Sequence, residues 1–177
     1  KQEQQVRALA DIAETGNVKL LANCLANSTE ILDPKTVKAV EAAAPDEEAK
    51  GKLAQCIAAH QCSCEGTAAF KKGDHRAALA AWLQAAKLWP RGKATRKGKV
   101  PSDAVLKEAK LHSNLAVCLL KLDRGGEALE HAERASKLTP EWAKAWFRLG
   151  QANLALGTTR DAVQALRRAK KLAKHES

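Results

Sequence analysis

Cysteine and histidine side chains are the residues of this chain that most readily suggest chemistry. Cys56, His60, Cys62 and Cys64 lie close together, and thiolates with imidazoles are common zinc ligands. Their spacing lacks the paired Cys-x2-Cys arrangement of such sites, and a helix would direct Cys62 and Cys64 to different sides. We therefore expect packed thiols and no metal. Five cysteines form no even-numbered disulfide framework, which indicates reduced thiols in a cytosol-like compartment.

Three other histidines could act as acids or bases. Neither a nucleophile nor a carboxylate is spaced to form a hydrolytic triad with His75, His112 or His131. His112 falls at a position where helices meet, so we assign it to packing. The sequence also has no glycine-rich phosphate cradle. We expect a protein that is not an enzyme and that needs no cofactor.

Cations are the remaining candidates for function. The net charge is +10, and much of it lies in residues 91–99 and near the C-terminus, which favours an acidic partner. The basic stretches lack the interleaved aromatic residues that stack on single-stranded nucleic acids, so nucleic-acid binding is disfavoured. Cations late in a final helix also complement the helix dipole. No apolar run is long enough to cross a bilayer, so we expect no membrane insertion.

The elements that must position these residues recur at fixed intervals. Ala116, Ala128 and Ala135 are followed 34 residues later by small residues, at Gly150, Ala162 and Ala169. The same positions occur 50 residues earlier, as Gly66, Ala78 and Ala85. A period in the thirties with small residues at set points is typical of stacked helix pairs. Aromatic residues make up only 3% of the chain and no segment alternates like a strand, so we predict an all-α protein.

The repeat pattern divides the chain into two parts. We predict an N-terminal helical extension over residues 1–58 and a repeat domain over residues 59–177. The repeats are expected at about 59–92, 109–142 and 143–176, with a basic insertion at 93–108 that begins as a mobile loop. Because Lys1 is not methionine, we expect the chain to be a trimmed or partial product of a longer protein.

Local signals place the helices of the extension and the turns of the repeats. Three short helices are predicted over about 2–14, 18–27 and 33–44, the third capped by Asp33 with Pro34 in its first turn. A long helix then starts near Asp46, and Ser102 marks the start of the second repeat's extended first helix. The turn inside each repeat contains a glycine that we expect to reverse the chain.

These units resemble tetratricopeptide repeats. Besides the small residues, Pro90 and Pro140 close the first two units, and residues 146–150 (Trp-Phe-Arg-Leu-Gly) are similar to the family's opening pattern. The resemblance implies a right-handed superhelix of three helix pairs. Three repeats with a long spacer after the first, together with residues 65–73 and 112–122, resemble the chaperone-binding domains of large immunophilins and related heat-shock co-chaperones.

That resemblance implies a carboxylate clamp for the acidic C-terminal Glu-Glu-Val-Asp tail of a seventy- or ninety-kilodalton heat-shock chaperone. The clamp's asparagine in the second repeat falls on Asn114, and its lysine and arginine in the third repeat fall on Lys144 and Arg148. The lysine of the first repeat falls on Ser63, which carries no charge, and the asparagine of the first repeat falls on Thr67. The clamp is therefore expected to be partial.

Further groove residues follow from the same resemblance. Phe70 and Val117 are candidates for apolar contact with a bound peptide, and Lys71 and Lys121 for longer-range attraction. Two simpler interpretations stay open for the clamp: Lys144 and Arg148 as a solvated helix face, and Asn114 as a local backbone partner.

The function expected from the sequence is that of a non-enzymatic, cytoplasmic adaptor for protein–protein interactions. The alternative is a basic helical scaffold that contacts other subunits of a large protein or ribonucleoprotein assembly. The basic insertion, the extra N-terminal helices and Ser63 favour the alternative.

Overall fold

The computed structural model describes residues 2–26, 28, 30–91, 93–96 and 99–174, with side chains from Val6 onward. Within these ranges the chain forms helices and no strand, which confirms the all-α prediction. Nine helices are described: α1 Gln2–Glu14, α2 Val18–Ala26, α3 Pro34–Ala42, α4 Glu47–Lys71, α5 His75–Leu88, α6 Asp103–Lys121, α7 Gly125–Leu138, α8 Ala143–Ala155 and α9 Thr159–Ala173. Asn27, the predicted end of α2, and residues 175–177 lie outside the described residues.

Side-chain caps fix several helix starts where the sequence placed them. The Asp33 carboxylate accepts the backbone N–H groups of Lys35 and Thr36 at the start of α3. Asp46 accepts the Ala49 N–H at the start of α4, and the Ser102 hydroxyl accepts the N–H of residue 105 at the start of α6. Each cap satisfies a backbone donor that has no partner within its helix.

The turns inside the repeats correct one prediction. Gly73 and Gly157 follow α4 and α8 with φ of 82° and 74°, in the left-handed region that glycine adopts without steric cost. In the second repeat the equivalent residue is Asp123, with φ of 57°, whereas Gly125 already begins α7. Glycine therefore does not reverse the chain there. Aspartate can replace it because a short polar side chain tolerates this conformation.

The N-terminal helices share a core with the start of the repeat region. Leu21 and Leu25 of α2 pack with Leu53 and Ile57 of α4 and with Trp89, just beyond α5. Helix α4 runs unbroken through residue 58, so the proposed division between extension and repeat domain falls inside one helix. The extension thereby covers the first end of the repeat stack.

The repeats form three helix hairpins, α4 with α5, α6 with α7, and α8 with α9. Small residues lie where the helices approach: Ala78, Ala128 and Ala162 are fully buried. Gly66 lies against the Trp82 ring, where an added Cβ would be 2.6 Å from Trp82 Cδ1. Trp82 and Trp89 are each 2% exposed, so both rings serve packing.

The insertion between the first two repeats is part coil and part helix. The backbone N–H of Thr95 donates to the Leu138 carbonyl at the end of α7 (2.9 Å), so the described part of the loop contacts the second repeat. From residue 103 the insertion becomes the first turns of α6, as predicted. Across the described ranges, no helix combines the length and apolar character needed to span a membrane.

Candidate functional site

All of the predicted site residues lie on the first helices of the three hairpins. Helix α4 carries Thr67, Phe70 and Lys71, and the others are divided between α6 and α8. We call the face of α4, α6 and α8 that bears these residues the groove face. Helix α6 packs directly against α8, whereas α4 reaches α6 mainly through α5 and α2. The second- and third-repeat residues therefore share a closer framework than those of the first repeat.

Arg148 has the most unusual surroundings of the predicted clamp residues. Its guanidinium is half-buried, and burial lowers its pKa. Nη1 donates to Gln151 Oε1 (2.7 Å), while the buried Nε has no hydrogen-bond partner among the described residues. The Phe147 ring lies 5.6 Å from the guanidinium carbon. No described carboxylate forms an ion pair with Arg148, so this cation is desolvated and not neutralised.

Lys144 and Asn114 have few competing contacts. Lys144 is exposed and lies one helical turn before Arg148 on the same face of α8; it also borders a shallow apolar cleft between α8 and α9. The half-buried Asn114 side chain makes no hydrogen bond to any described residue. Both groups are consequently available to a ligand, and local backbone pairing does not occupy Asn114.

The first repeat offers less for carboxylate binding. Ser63 is 6% exposed, and its carbonyl accepts both Thr67 Oγ1 (2.9 Å) and Trp82 Nε1 (3.2 Å). The Thr67 hydroxyl therefore has a partner within α4. Phe70 packs against His75 and Trp82, with ring centroids 5.0 and 5.5 Å apart, which leaves only part of its ring for a ligand.

The remaining predicted residues lie toward the ends of the first helices. Lys71 and Lys121 are exposed in the last turns of α4 and α6, where each also complements its helix dipole. Val117, on the same face of α6 as Lys121, is half-buried. These side chains suit the rim of a binding surface better than its centre.

Lys107 is a cation that the sequence analysis missed. It lies on α6, seven residues before Asn114, and thus on nearly the same face of the helix. Burial lowers the pKa of Lys107, and the nearby Cys64 on α4 opposes this shift. Burial also lowers the pKa of His60 on α4, and the charge of Lys107 contributes to that lowering. Lys107 therefore lies close to Cys64 and His60, across the gap between α6 and α4. A periodic search of the repeat could not find it, because it precedes the second repeat.

The described cysteines and histidines form no metal-binding cluster. Within the described ranges, no three metal-ligating side chains meet, and all five cysteines are free, with Cys24 exposed. His112 Nδ1 lies 2.9 Å from His131 Nδ1, with the two rings stacked between α6 and α7. Burial, followed by the neighbouring His131, lowers the pKa of His112 to about 4. This pair serves packing, as predicted for His112.

Comparison with known families identifies the class of protein. The tetratricopeptide repeat profile matches residues 65–99 and 113–176, which together make up more than half of the chain. The chain belongs to the tetratricopeptide repeat family.

Two curated relatives match part of the chain. This chain is 32% identical to the Hsp70-Hsp90 organizing protein of Triticum aestivum over 107 residues, which make up 60% of the chain. Over 98 residues, 55% of the chain, it is 32% identical to the STIP1 homolog of Dictyostelium discoideum. The matches span only 16% and 14% of these relatives, so the chain corresponds to a small part of each.

Solved structures share the fold. The second repeat domain of Spaghetti (RPAP3), bound to the HSP90 peptide SRMEEVD, has a TM-score of 0.55 and 22% identity, covering 70% of this chain and 98% of that one. A C-terminal repeat domain of a Plasmodium falciparum FK506-binding protein has a TM-score of 0.58 and 23% identity, with coverages of 70% and 82%. MamA has a TM-score of 0.55 and 17% identity, with coverages of 97% and 88%, so the similarity in fold extends to the N-terminal helices.

Proposed function

We propose that this protein is a non-enzymatic adaptor whose groove face binds the acidic C-terminal tail of a seventy- or ninety-kilodalton heat-shock chaperone. Relatives named for organising Hsp70 and Hsp90, and a similar fold bound to an HSP90 peptide ending in Glu-Glu-Val-Asp, support this choice of partner. We place the adaptor in the cytoplasm, where such chaperones and reduced cysteines would occur together.

The partial burial of the Arg148 guanidinium, without an ion-pair partner among the described residues, is the observation that carries the proposal. A half-buried guanidinium has lost part of its hydration, and a buried Nε without a partner adds a further cost. A chain-terminal carboxylate would neutralise the charge by accepting from the terminal N–H groups of the guanidinium, in the planar geometry of an Arg–carboxylate pair. A residue that served only as a solvated helix surface would have no reason to be desolvated in this way.

The other groups complete a clamp around that centre. Lys144, one turn away on α8, would bind a second carboxylate oxygen, and the unpaired Asn114 amide would orient the peptide from α6. We include Lys107 as the cation of the first-repeat side, since Ser63 is neutral and Lys107 lies close to Cys64, the next residue along α4. Thr67, Phe70 and Val117 would contact the peptide more weakly, with Lys71 and Lys121 adding attraction at the rim.

A peptide titration with matched variants tests this function. Isothermal calorimetry would compare SRMEEVD carrying a free C-terminus with its C-terminal amide, on wild type and on Lys144→Ala/Arg148→Ala. Each charge-assisted contact is worth about 1.5–3 kcal/mol, so the double variant should bind the free acid about a hundredfold more weakly or worse. Arg167→Ala/Lys171→Ala removes the same charge from the exposed surface of α9 and should bind within about twofold of wild type, because surface charges contribute little.

Two results would contradict the clamp. The first is equal affinity of wild type and the Lys144/Arg148 variant, and the second is equal binding of the free and amidated peptides. Either would leave the scaffold alternative, in which acidic surfaces of an assembly bind the exposed cations with strong salt dependence.

A further inference from the structure

A second basic site lies away from the clamp, between α2 and the start of α6. It is a pocket of about 580 Å³, and we call it the α2–α6 pocket. Its cationic lining residues are Lys19, Arg91, Lys93, Arg96 and Lys99. None of the described residues that line it is acidic. A pocket whose charged lining residues are all cations concentrates positive potential and favours an anionic occupant.

The cations converge from segments far apart in the sequence. Lys19 projects from α2, whereas the other four belong to the loop that follows α5. None of the five forms an ion pair with a described carboxylate. No described carboxylate within ion-pair distance offsets their mutual repulsion, and an anion that contacts several of them would relieve it.

Hydrogen bonds hold the walls of this pocket in place. The Ala104 backbone N–H donates to Asn23 Oδ1 (2.9 Å), which ties the start of α6 to α2. Trp89 Nε1 donates to the Ala104 carbonyl (3.2 Å), and Trp89 belongs to the N-terminal core. Thr95 N–H is bonded to the carbonyl of Leu138, which is itself buried. The loop cations thus extend from a backbone that is held at both sides of the pocket.

Size and charge together identify the class of ligand. A sphere of about 580 Å³ is roughly 10 Å across, which spans only about three residues of an extended chain. An acidic peptide that short carries too few charges for five cations. A phosphate monoester carries about −1.5 to −2, so a few phosphates on a compact framework would match them. No exposed aromatic ring lines the pocket to stack on bases, unlike single-stranded nucleic-acid sites.

We infer that the α2–α6 pocket binds a compact small molecule bearing several phosphate groups. The volume lies within the range of small-molecule sites, and three lysines with two arginines provide both point charges and planar donors for phosphate oxygens. This site is independent of the clamp. The same chemistry could reach it as a soluble polyphosphate or as the headgroup of a phosphoinositide.

Calorimetry with inositol hexakisphosphate at physiological ionic strength tests the site on the whole chain. Wild type should bind it, and Lys93→Gln/Arg96→Gln should bind about tenfold more weakly or worse, since two charge-assisted contacts are lost. Arg167→Gln/Lys171→Gln, with the same charge change on α9, should stay within about twofold. Sedimentation with phosphatidylcholine vesicles containing a phosphatidylinositol bisphosphate separates the two sources. If wild type cosediments with the vesicles and the Lys93/Arg96 variant does not, the ligand is a lipid headgroup. If wild type does not cosediment, the ligand is a soluble polyphosphate.

Three outcomes would overturn the inference. These are no heat of binding at millimolar inositol hexakisphosphate, an equal loss in both variants, and tight binding of single-stranded RNA that the polyphosphate does not displace. In each case the α2–α6 pocket would lack selectivity for a compact polyphosphate. Circular dichroism of both variants verifies that they are folded, and SRMEEVD binding should be the same in both, because neither changes the groove face.

Discussion

Replacing Gly66 with alanine should destabilise the fold, although alanine is the better helix former. An added Cβ would lie 2.6, 2.7 and 2.9 Å from Trp82 Cδ1, Nε1 and Cγ, closer than carbon and nitrogen atoms pack. Trp82 cannot move aside freely. Its ring is 2% exposed, packs on Phe70, and donates a hydrogen bond to the Ser63 carbonyl.

The expected magnitude follows from three contributions. Overpacking a well-filled core costs about 1–3 kcal/mol, and loss of the Trp82 hydrogen bond would cost about 1 kcal/mol more. The higher helix propensity of alanine offsets about 0.8–1 kcal/mol of this loss in unfolding free energy. The net loss is therefore about 2 kcal/mol of unfolding free energy, which corresponds to a fall in melting temperature of roughly 4–8 °C for a chain of this size.

Two other helical glycines provide matched controls. Gly51 is exposed in α4 and an added Cβ would meet nothing within 4 Å, so Gly51→Ala should stabilise the protein by about 0.8–1 kcal/mol. At Gly150 the added Cβ would lie 2.6 Å from Leu166 Cγ. Because Leu166 is a flexible, partly exposed side chain, Gly150→Ala should cost less than Gly66→Ala.

Urea denaturation followed by circular dichroism would measure all three variants under one set of conditions. The expected order of stability is Gly51→Ala, wild type, Gly150→Ala and then Gly66→Ala. The reasoning fails if Gly66→Ala is as stable as wild type, or if it is more stable than Gly150→Ala. Either result would mean that the Trp82 ring has room to shift.

Three further predictions concern the clamp and the histidine pair. Lys107→Gln should weaken binding of free-acid SRMEEVD by about threefold to tenfold, whereas Lys87→Gln on α5 should leave the calorimetric affinity unchanged; equal effects would remove Lys107 from the clamp. Arg148→Lys keeps the charge but loses the planar donor pair, so its affinity should fall between those of wild type and Arg148→Ala; an affinity equal to wild type would exclude bidentate binding. Burial lowers the pKa of His112 from 6.5 to about 4, so the unfolded chain takes up its proton first as the pH falls. Stability should therefore decline between about pH 6.5 and pH 4, by at most about 3 kcal/mol; an equally steep decline for His112→Gln, measured by urea denaturation at pH 7 and pH 5, would show that other groups are responsible.

Local chemistry made most helices predictable. The sequence alone reveals the 34-residue period and the caps at Asp33, Asp46 and Ser102. Capping and helix periodicity involve residues within a few positions of one another. The small residues at Ala78, Ala128 and their equivalents also identified the stacked hairpins. For the candidate site, the family resemblance selected Asn114, Lys144 and Arg148, and the period assigned them to the first helices of their hairpins.

Tertiary structure decided what depends on contacts between distant segments. Only the packed chain shows that Trp89 joins the N-terminal core, that Lys107 reaches toward α4, and that the cations of one loop surround a pocket completed by α2. The desolvation of Arg148 cannot be read from the sequence, since the residue type is the same whether the guanidinium is hydrated or buried. The sequence alone determined where the helices and repeats lie, because those signals are local. Burial and electrostatic surroundings were decided only by folding, because they depend on neighbours that the chain order does not reveal.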